Sequence, residues 1–309
     1  MSVHKKKSRM GFIIILPSLI LIGIFVYYFI FLTVRTSFSN WNSFASLAMN
    51  EYKFVGLRNF QRLFMDPRFQ SDLWNTLFFT AFFIFACIAI GLFLANILDK
   101  GLKGSKFFQN IFLFPMAISF VVTGTVMSWI FAPGRIPNAP QGINLLLDKL
   151  GLDFLQWQWY TSTDSLVNFN LALIPVILAA VWQFSGYIMA MYLAGMRAIP
   201  NDIIEASRVD GASDARIFWK IKMPLLKPIT LSAMIVLGHI SLKIFDLVYA
   251  MTGSGPNNVT DMPAVYMFEL TFRSNRYAMG SAISIIMLLF VAIVIIPYLW
   301  SSFRKGSEG

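Results

Sequence analysis

Three ionisable residues, His239, Lys243 and Asp246, follow one another within a long apolar stretch. On an α-helix their spacing of i, i+4 and i+7 would place them on one stripe. If that stretch crosses a membrane, such groups are costly and usually pair or face a water-filled cavity. Three interpretations stay open: a structural Lys243–Asp246 pair, a contact with a substrate or another subunit, and a proton relay. A relay is disfavoured because the stripe has a single histidine and no series of further acids.

Other catalytic and metal-binding patterns are missing from the sequence. No G-x-x-x-x-G-K-[ST] motif occurs, since Gly101-Leu-Lys-Gly-Ser-Lys106 lacks that spacing, so the chain is not expected to hydrolyse ATP itself. The two histidines, His4 and His239, exclude a histidine-rich metal site, and no G-x-S-x-G nucleophile motif is present. The sequence therefore predicts neither an enzyme nor a cofactor bound by this chain.

The amino-acid composition indicates whether this chain lies in water or in a membrane. Of 309 residues, 57% are hydrophobic and 13% charged, and the mean hydropathy is +0.66. A soluble domain carries about 25% charged residues, so there is too little charge here to cover a water-exposed surface. The net charge of +10 stands in short clusters beside apolar runs, which is typical of membrane topology rather than of nucleic-acid binding. The chain is predicted to be an integral membrane protein.

Six segments are long and apolar enough to cross a bilayer core of about 30 Å, which takes roughly 20 helical residues. The predicted spans are residues 12–34, 74–98, 107–132, 169–195, 225–251 and 278–303. Each must be helical, because lipid offers no hydrogen bonds to an exposed backbone. The predicted fold class is an all-α membrane protein with a single transmembrane domain over residues 1–309.

Positive charge predicts the orientation of these spans. Segments 1–11, 99–106, 196–224 and 304–309 are richer in Lys and Arg than the much longer loops on the opposite side. By the positive-inside rule, both termini are therefore predicted to be cytoplasmic. The extracytoplasmic loops are then residues 35–73, 133–168 and 252–277.

The basic segment 196–224 has the signals of two short helices joined by a turn. Pro200 suits the start of a helix, and Asp210-Gly211 supplies the left-handed residue that ends one. A second helix is predicted at about 212–221, with Pro224 ending it. Taken alone, these features indicate no more than an amphipathic hairpin at the membrane surface.

The whole pattern of this segment is more specific than its parts, and it resembles the Glu-Ala-Ala loop of binding-protein-dependent ABC importer permeases, EAA-x3-G-x9-I-x-L-P. The matching residues are Glu205, Ala206, Ser207, Gly211, Ile221 and Pro224. Ser207 stands in place of the second Ala, and Met223 in place of Leu. In that family the loop docks into a groove of a cytoplasmic ATPase. The resemblance therefore implies that these residues, with Asp210 and Ala212, couple the chain to an ATPase.

Further segments resemble the subunit type found in maltose and glycerol-3-phosphate importers, in its shorter six-span version. They are Phe54-Val-Gly-Leu-Arg-Asn-Phe60, Asn75-Thr-Leu77, Gly142-Ile-Asn144, Ala198-Ile-Pro200 and Thr252-Gly-Ser-Gly-Pro256 with Thr260. In the turn at 252–256, Ser254 replaces the usual first Gly of a Gly-Gly-Pro sequence. The stretches 249–256 and 260–263 also resemble permeases for glucose, mannose or related small glucosides.

Alignment on the loop and the Gly-Pro turn implies a substrate pathway through spans three, four and five. Sugar recognition needs hydrogen-bonding groups and aromatic faces in a water-accessible pocket. The residues that the alignment places at the cavity of the maltose-type subunit are Met116, Phe120, Gln183, Phe184, Ser241 and Ile244. Ser119, Thr123 and Tyr187 are further candidates because they offer hydroxyl groups or an aromatic face in spans three and four. The alternative for each is packing between helices or a hydrogen bond to a backbone carbonyl.

The resemblance implies a sugar importer in the cytoplasmic membrane of a prokaryote. Its partners would be a second, different six-span permease subunit, two ABC ATPase subunits that bind ATP and Mg²⁺, an extracytoplasmic sugar-binding protein and the lipid bilayer, with no nucleic acid. One alternative is an ABC permease for another solute, such as peptides or polyamines. A second is a secondary transporter without an ATPase, which the sequence disfavours because it shows neither inverted repeats nor broken helices. A membrane enzyme or scaffold is the third, and the missing catalytic groups disfavour it.

Overall fold

A computed structural model describes residues 15–49, 52–101, 103–136, 138–166 and 168–306. The basic segment predicted at 1–11, the first residues of the 12–34 span and the end of the basic segment 304–309 lie outside this range. Among the described residues, helices form nearly all of the regular structure, and the strands belong to two short antiparallel hairpins.

The helices follow one another in chain order and are numbered here as they occur. They are α1 (Ile15–Ser37), α2 (Phe44–Ala48), α3 (Arg58–Met65), α4 (Pro67–Asp99), α5 (Ser105–Ala117), α6 (Phe120–Ile130), α7 (Gly142–Lys149), α8 (Leu173–Arg197), α9 (Asn201–Val209), α10 (Asp214–Leu225), α11 (Lys227–Leu242), α12 (Asp246–Met251), α13 (Pro263–Phe268) and α14 (Tyr277–Gly306). The strands are β1 (Gly134–Arg135), β2 (Ala139–Pro140), β3 (Ser165–Leu166) and β4 (Phe169–Asn170).

Three of these helices, α1, α4 and α8, are long and apolar enough to cross a bilayer without a break. The spans predicted at 12–34 and 74–98 fall within α1 and α4 over the described residues, although α4 begins seven residues earlier, at Pro67. The span predicted at 169–195 is helical only from Leu173, because Phe169 and Asn170 belong to β4. Helix α14 covers the span predicted at 278–303. The helical fold class is confirmed, whereas the total of six spans stays a prediction.

The span predicted at 107–132 is not one continuous helix. Helices α5 and α6 meet at an angle of 97°. Between them Ile118 and Ser119 are extended, with ψ angles of 138° and 147°, and the side chain of Ser119 caps α6 by accepting a hydrogen bond from the Val122 amide. Pro115, just before the break, cannot donate a backbone hydrogen bond. The expectation of unbroken spans is therefore wrong here.

The span predicted at 225–251 is broken as well. Helix α10 meets α11 at 63°, and Pro228 lies in the first turn of α11, where a proline is tolerated. Helix α11 ends at Leu242, and residues 243–245 separate it from α12. Non-helical backbone at membrane depth is stable only where protein buries it or a water-filled cavity receives it. A cavity is therefore expected at the break between α5 and α6 and at the break between α11 and α12.

The helices divide between two compact units. One comprises residues 1–66 and 266–289. Within it Asn59, which is buried, donates two hydrogen bonds of 2.8 Å to the carbonyl oxygens of Ser37 and Ser39 at the end of α1. The segment Phe54–Phe60, noted for its family resemblance, thus has a physical role, because Asn59 pairs carbonyl groups that the end of the helix leaves without partners.

The other unit comprises residues 67–265 and 290–309, and its core lies around α4 and α8. Helix α8 is buried over most of its length. It also approaches α5 closely at Gly186, where a Cβ atom would overlap the carbonyl oxygen of Phe112. Any larger residue at position 186 would push apart the fourth span and the first half of the broken third span.

Candidate functional site

The loop segment resembling the Glu-Ala-Ala motif folds as a helical hairpin, α9 and α10, here called the loop hairpin (residues 201–225). Helix α9 ends in a Schellman turn. The Ala212 amide donates to the Ser207 carbonyl, and the Gly211 amide donates to the Arg208 carbonyl, each at 3.0 Å. Gly211 has a φ of +77°, a conformation that costs other residues about 1–2 kcal/mol. The predicted turn at Asp210-Gly211 is confirmed.

The second helix of the loop hairpin differs from its prediction at both ends. It begins at Asp214, with Ser213 as the cap that accepts a hydrogen bond from the Arg216 amide. It does not stop before Pro224 but continues to Leu225. The turn that precedes the proline, Phe218–Lys222, is a π-helix, a wider turn in which the regular i→i−4 bonding is already interrupted. Ile221 therefore lies in this wide turn, half-buried, while Pro224 is exposed.

The first helix of the loop hairpin presents an uncovered surface. Glu205, Ala206 and Asp210 are exposed, and Val209 is 87% exposed although it is apolar. Ser207, which replaces the second Ala of the family pattern, donates its hydroxyl to the Ile203 carbonyl at 2.6 Å. Its hydroxyl group is thus satisfied within the helix. A surface that combines apolar and acidic groups in this way is suited to contact with another protein.

An ion pair connects the loop hairpin to the end of the second span. Lys222 of α10 pairs with Asp99, the last residue of α4, and both side chains are less than one-fifth exposed. Sequence reasoning missed this pair, because 123 residues separate its members. The pair therefore joins α10 directly to the end of α4.

A cavity of about 490 Å³ lies where the broken third and fifth spans meet the fourth. Its lining residues are Met116, Ala117, Ile118, Ser119, Phe120, Val121, Gln183, Phe184 and Asp246. Five of the nine residues assigned to a substrate pathway by sequence are thus brought together at this cavity. The rings of Phe120 and Phe184 lie 5.6 Å apart between centroids, tilted by 32°, and form an aromatic part of the wall.

Gln183 supports the break in the third span. Its Nε2 atom donates to the Ile118 carbonyl oxygen at 2.8 Å. That carbonyl belongs to the extended peptide between α5 and α6 and would otherwise lack its helical partner. The Oε1 atom of Gln183 is buried and has no hydrogen-bond partner in the described part of the chain. Gln183 therefore stabilises the non-helical backbone between α5 and α6, and its Oε1 atom is an acceptor left over at the cavity wall.

Asp246 also lines this cavity, and its position corrects the predicted stripe of ionisable residues. Lys243 terminates α11 with φ −115° and ψ 15°, so no single helix carries His239, Lys243 and Asp246. Lys243 and Asp246 are both exposed and form no ion pair within the described residues. The structural Lys243–Asp246 pair is therefore wrong. His239 is half-buried in α11, and its Nδ1 atom has no partner in the same described part.

The remaining pathway candidates lie outside the cavity wall. Thr123 is buried in α6, Ile244 belongs to the apolar core, and Tyr187 packs against that core. Ser241 accepts a hydrogen bond from Thr80 and donates one to the Gly238 carbonyl, each at 2.9 Å. For Ser241 the alternative of helix packing thus describes the observed contacts.

A buried polar cluster lies near the start of α4, at the opposite end of this helix from Asp99. It joins Asn75 to the loop that contains Thr260, two segments whose family resemblance is described separately above. Arg68 pairs with Asp261 at 2.6 Å, and the Asp261 side chain is fully buried. The Nδ2 atom of Asn75 donates to the carbonyl oxygens of Val259 and Asp261 at 3.2 and 2.9 Å, and Asn170 donates to Oδ1 of Asn75 at 2.8 Å. The start of α4 thereby holds the loop that follows the Gly-Pro turn.

Comparison with known proteins agrees with this architecture. The family model for the binding-protein-dependent transport system inner membrane component matches residues 87–305. A probable ABC transporter permease protein of Pyrococcus horikoshii is 40% identical over 294 residues, which are 95% of each chain. A xylose/arabinose import permease protein of Haloferax volcanii is 37% identical over 269 residues, 86% of this chain and 80% of that one.

The fold has a counterpart of known structure. A chain in the crystal structure of a bacterial ABC transporter involved in the import of the acidic polysaccharide alginate superimposes with a TM-score of 0.79, covering 96% of both chains at 20% identity. The match to the family model extends over more than two-thirds of the sequence and includes α8, the loop hairpin and the whole of both broken spans. The chain thus belongs to the family of inner membrane components of binding-protein-dependent transport systems.

Proposed function

We propose that this chain is a permease subunit of an ATP-driven ABC importer that carries a sugar across the cytoplasmic membrane of a prokaryote. Family membership supports the importer, and the xylose/arabinose import named for the Haloferax volcanii relative supports a sugar. Both termini face the cytoplasm in this proposal, as the positive-inside rule indicates.

The observation that carries the proposal is the composition of the cavity between the two broken spans. It combines an aromatic wall, Phe120 and Phe184, with the amide of Gln183, the hydroxyl of Ser119 and the carboxylate of Asp246. Amides and carboxylates hydrogen-bond sugar hydroxyls, while aromatic rings cover the apolar faces of the sugar ring. The volume of about 490 Å³ lies within the ~300–1,000 Å³ of small-molecule sites. It suits a monosaccharide or small oligosaccharide, and we propose a glucose- or mannose-like one.

Energy would reach this cavity through the loop hairpin. We assign its exposed face around Glu205 and Val209 to one of two ATPase subunits, which bind ATP and Mg²⁺ while this chain binds no cofactor. Closure of the ATPase pair on ATP would move α10, and the Lys222–Asp99 ion pair would pass that movement to α4. The nucleotide thereby biases a bundle with two states, open to one side of the membrane or to the other.

Two further partners complete the proposed transporter. A second, different six-span permease subunit would cover part of the apolar surface that this chain leaves exposed, which includes Met116 and Trp129. An extracytoplasmic sugar-binding protein would deliver the substrate to loops 133–168 and 252–277. The first of these loops is structured by the hairpin of β1 and β2, and the second is held by the Arg68–Asp261 pair.

A non-sugar solute remains the second candidate, because one specific observation favours it. Asp246 is the only charged residue among those that line the cavity in the described structure. An uncompensated carboxylate would also suit a cationic solute such as a polyamine. The observed broken helices remove one argument against a secondary transporter that works without an ATPase. Membership in an importer family nevertheless supports an ATPase.

The proposal is tested by co-purification and uptake. The wild-type chain should bring down an ATPase and a second six-span protein, and Gly211→Pro and Glu205→Ala should lose the ATPase. Gly151→Pro is the matched control, because Gly151 also has a positive φ (+68°) but lies in the loop at 133–168. Sugar uptake should fail in the first two variants while membrane insertion stays normal. Transport by the chain alone, without nucleotide, would contradict the proposal.

A further inference from the structure

A second cavity, of about 420 Å³, lies between the loop hairpin and the ends of the second and fourth spans. It is formed by the ends of α4 and α8 together with α9 and α10. Its lining residues are Asn96, Asp99, Lys100, Met196, Arg197, Ile199, Asn201, Ile204, Arg208, Asp214, Ile217, Phe218 and Lys222. This end of the bundle is the one that the positive-inside rule assigns to the cytoplasm.

The lining carries more positive than negative charge. It contains four cations and two carboxylates, so its net charge is +2. Lys222 pairs with Asp99, and Arg208 lies 3.7 Å from Asp214. Lys100 and Arg197 form no ion pair with any residue of the described structure, and both are exposed. Two cations from two different spans thus face one cavity without an ion-pair partner among the described residues, and they account for its net charge.

The lining is also amphipathic. Lys100 and Arg197 are exposed, whereas Met196, Ile199 and Ile217 are buried and Ile204 and Phe218 are half-buried. The cavity begins where two predicted spans end, which is the depth of the headgroup region in a bilayer. Basic pockets between transmembrane helices at the cytoplasmic surface are suited to anionic lipid headgroups. Apolar side chains beside the cations match the acyl chains that a free anion lacks.

We propose that this cavity binds a phosphate-bearing anion, namely the headgroup of an anionic phospholipid, with Lys100 and Arg197 as its charge partners. Arg197 can donate two parallel hydrogen bonds to phosphate oxygens, and Lys100 adds a second charge. The bound headgroup touches the span ends through these two residues and the loop hairpin through Asn201. It therefore holds the loop hairpin against the bundle and makes its movement dependent on the lipid composition. This site is independent of which solute the importer carries.

The test measures lipid binding to the purified full-length chain by native mass spectrometry. Phosphatidylglycerol is titrated against phosphatidylcholine, and wild type is compared with Lys100→Gln combined with Arg197→Gln. The control combines Lys103→Gln with Lys220→Gln, which removes the same charge from exposed residues of the same two basic segments that do not line the cavity. We expect phosphatidylglycerol to bind the cavity variant about fivefold more weakly for each cation removed, and the control variant as it binds wild type.

Parallel arms distinguish the two sources of a phosphate group. If glycerol phosphate or inorganic phosphate binds the cavity while phosphatidylglycerol is not retained, the result would support an anion site and overturn the assignment to a lipid. Equal retention of phosphatidylglycerol and phosphatidylcholine by wild type would overturn the proposal. Equal loss of phosphatidylglycerol in the cavity variant and in the control variant would overturn it too, because it would assign the effect to surface charge in general.

Discussion

The side-chain Nε2 atom of Gln183 lies 2.8 Å from the backbone carbonyl oxygen of Ile118. One residue belongs to the straight fourth span and the other to the break in the third. The contact replaces the hydrogen bond that the carbonyl would receive in a continuous helix. Since Ile118 and Gln183 both line the cavity, this contact determines the shape of the cavity as well as the stability of the break.

Replacing Gln183 by leucine should therefore destabilise the protein and impair transport together. The substitution removes the donor and leaves the Ile118 carbonyl without a partner, which costs about 1–3 kcal/mol. We expect a lower melting temperature in detergent and reduced uptake from the remaining folded protein. Trp182→Leu is the control, because Trp182 is the adjacent residue and is 42% exposed. A normal melting temperature for Gln183→Leu would contradict the structural role given to this contact.

The side chain at position 246 should determine whether the transporter accepts a neutral or a cationic solute. In a sugar importer, Asp246→Asn keeps hydrogen bonding to hydroxyl groups, so uptake of a neutral sugar should fall only severalfold. Asp246→Lys should abolish uptake of a neutral sugar because the long cationic side chain fills the cavity. If the solute is cationic, Asp246→Asn should by itself reduce uptake by two orders of magnitude or more. Uptake of labelled glucose, mannose and a polyamine by each variant decides between the two solutes.

Lys243→Gln is the control for this comparison. Lys243 is only three residues away, is exposed and does not line the cavity. Uptake should therefore be unchanged in Lys243→Gln whichever solute is carried. A loss equal to that of Asp246→Asn would show that the break itself, rather than the carboxylate, had been disturbed.

Removing one member of the Arg68–Asp261 pair should destabilise the second unit. Asp261 is fully buried, and a buried charge left without its partner costs about 3–5 kcal/mol. Arg68→Gln should lower the melting temperature and expose the loop at 252–265 to limited proteolysis. Arg135→Gln is a suitable control because Arg135 is exposed in the short strand β1. Unchanged proteolysis of Arg68→Gln would contradict a role of the pair in holding this loop.

The sequence was sufficient for the features that depend on composition and local spacing. Long apolar runs identified α1, α4 and α8, and the Asp210-Gly211 pair identified the Schellman turn. In the sequence the same apolar runs continue through both broken spans, so a hydropathy argument cannot separate α5 from α6. Pro115 and Ser119 were the available signals, since a proline followed by a residue with capping chemistry permits a new helix start.

Contacts between distant segments could not be predicted in this way. Asp99 and Lys222 are each ordinary charged residues next to a span, and nothing local indicates that they pair. Asp246 was assigned to a helical stripe because three residues matched a helical spacing, but the spacing is meaningful only if the helix is continuous. With the break at Lys243, Asp246 lines the same cavity as Gln183 instead. The tertiary packing of the fourth span, and not the local pattern, decides which polar residues meet.

The ion pair between Asp99 and Lys222 should contribute to coupling as well as to stability. Because both side chains are less than one-fifth exposed, the pair is screened less than a surface pair, and a double-mutant cycle should give a coupling energy of about 0.5–3 kcal/mol. Asp99→Asn and Lys222→Gln should each lower the melting temperature of the chain and weaken the stimulation of ATP hydrolysis by substrate in the assembled transporter. The measurement compares both quantities for the single variants and for the reversed pair.

The reversed pair, Asp99→Lys with Lys222→Asp, separates a direct interaction from a general effect of charge. It retains the net charge of the chain and restores attraction between the same two positions. We expect partial recovery of both the melting temperature and the stimulated ATP hydrolysis, since the changed side-chain lengths alter the geometry. If the reversed pair behaves no better than the worse single variant, α10 does not act on α4 through this contact. The movement of the loop hairpin must then reach the bundle through the backbone at Leu226, where α10 meets α11.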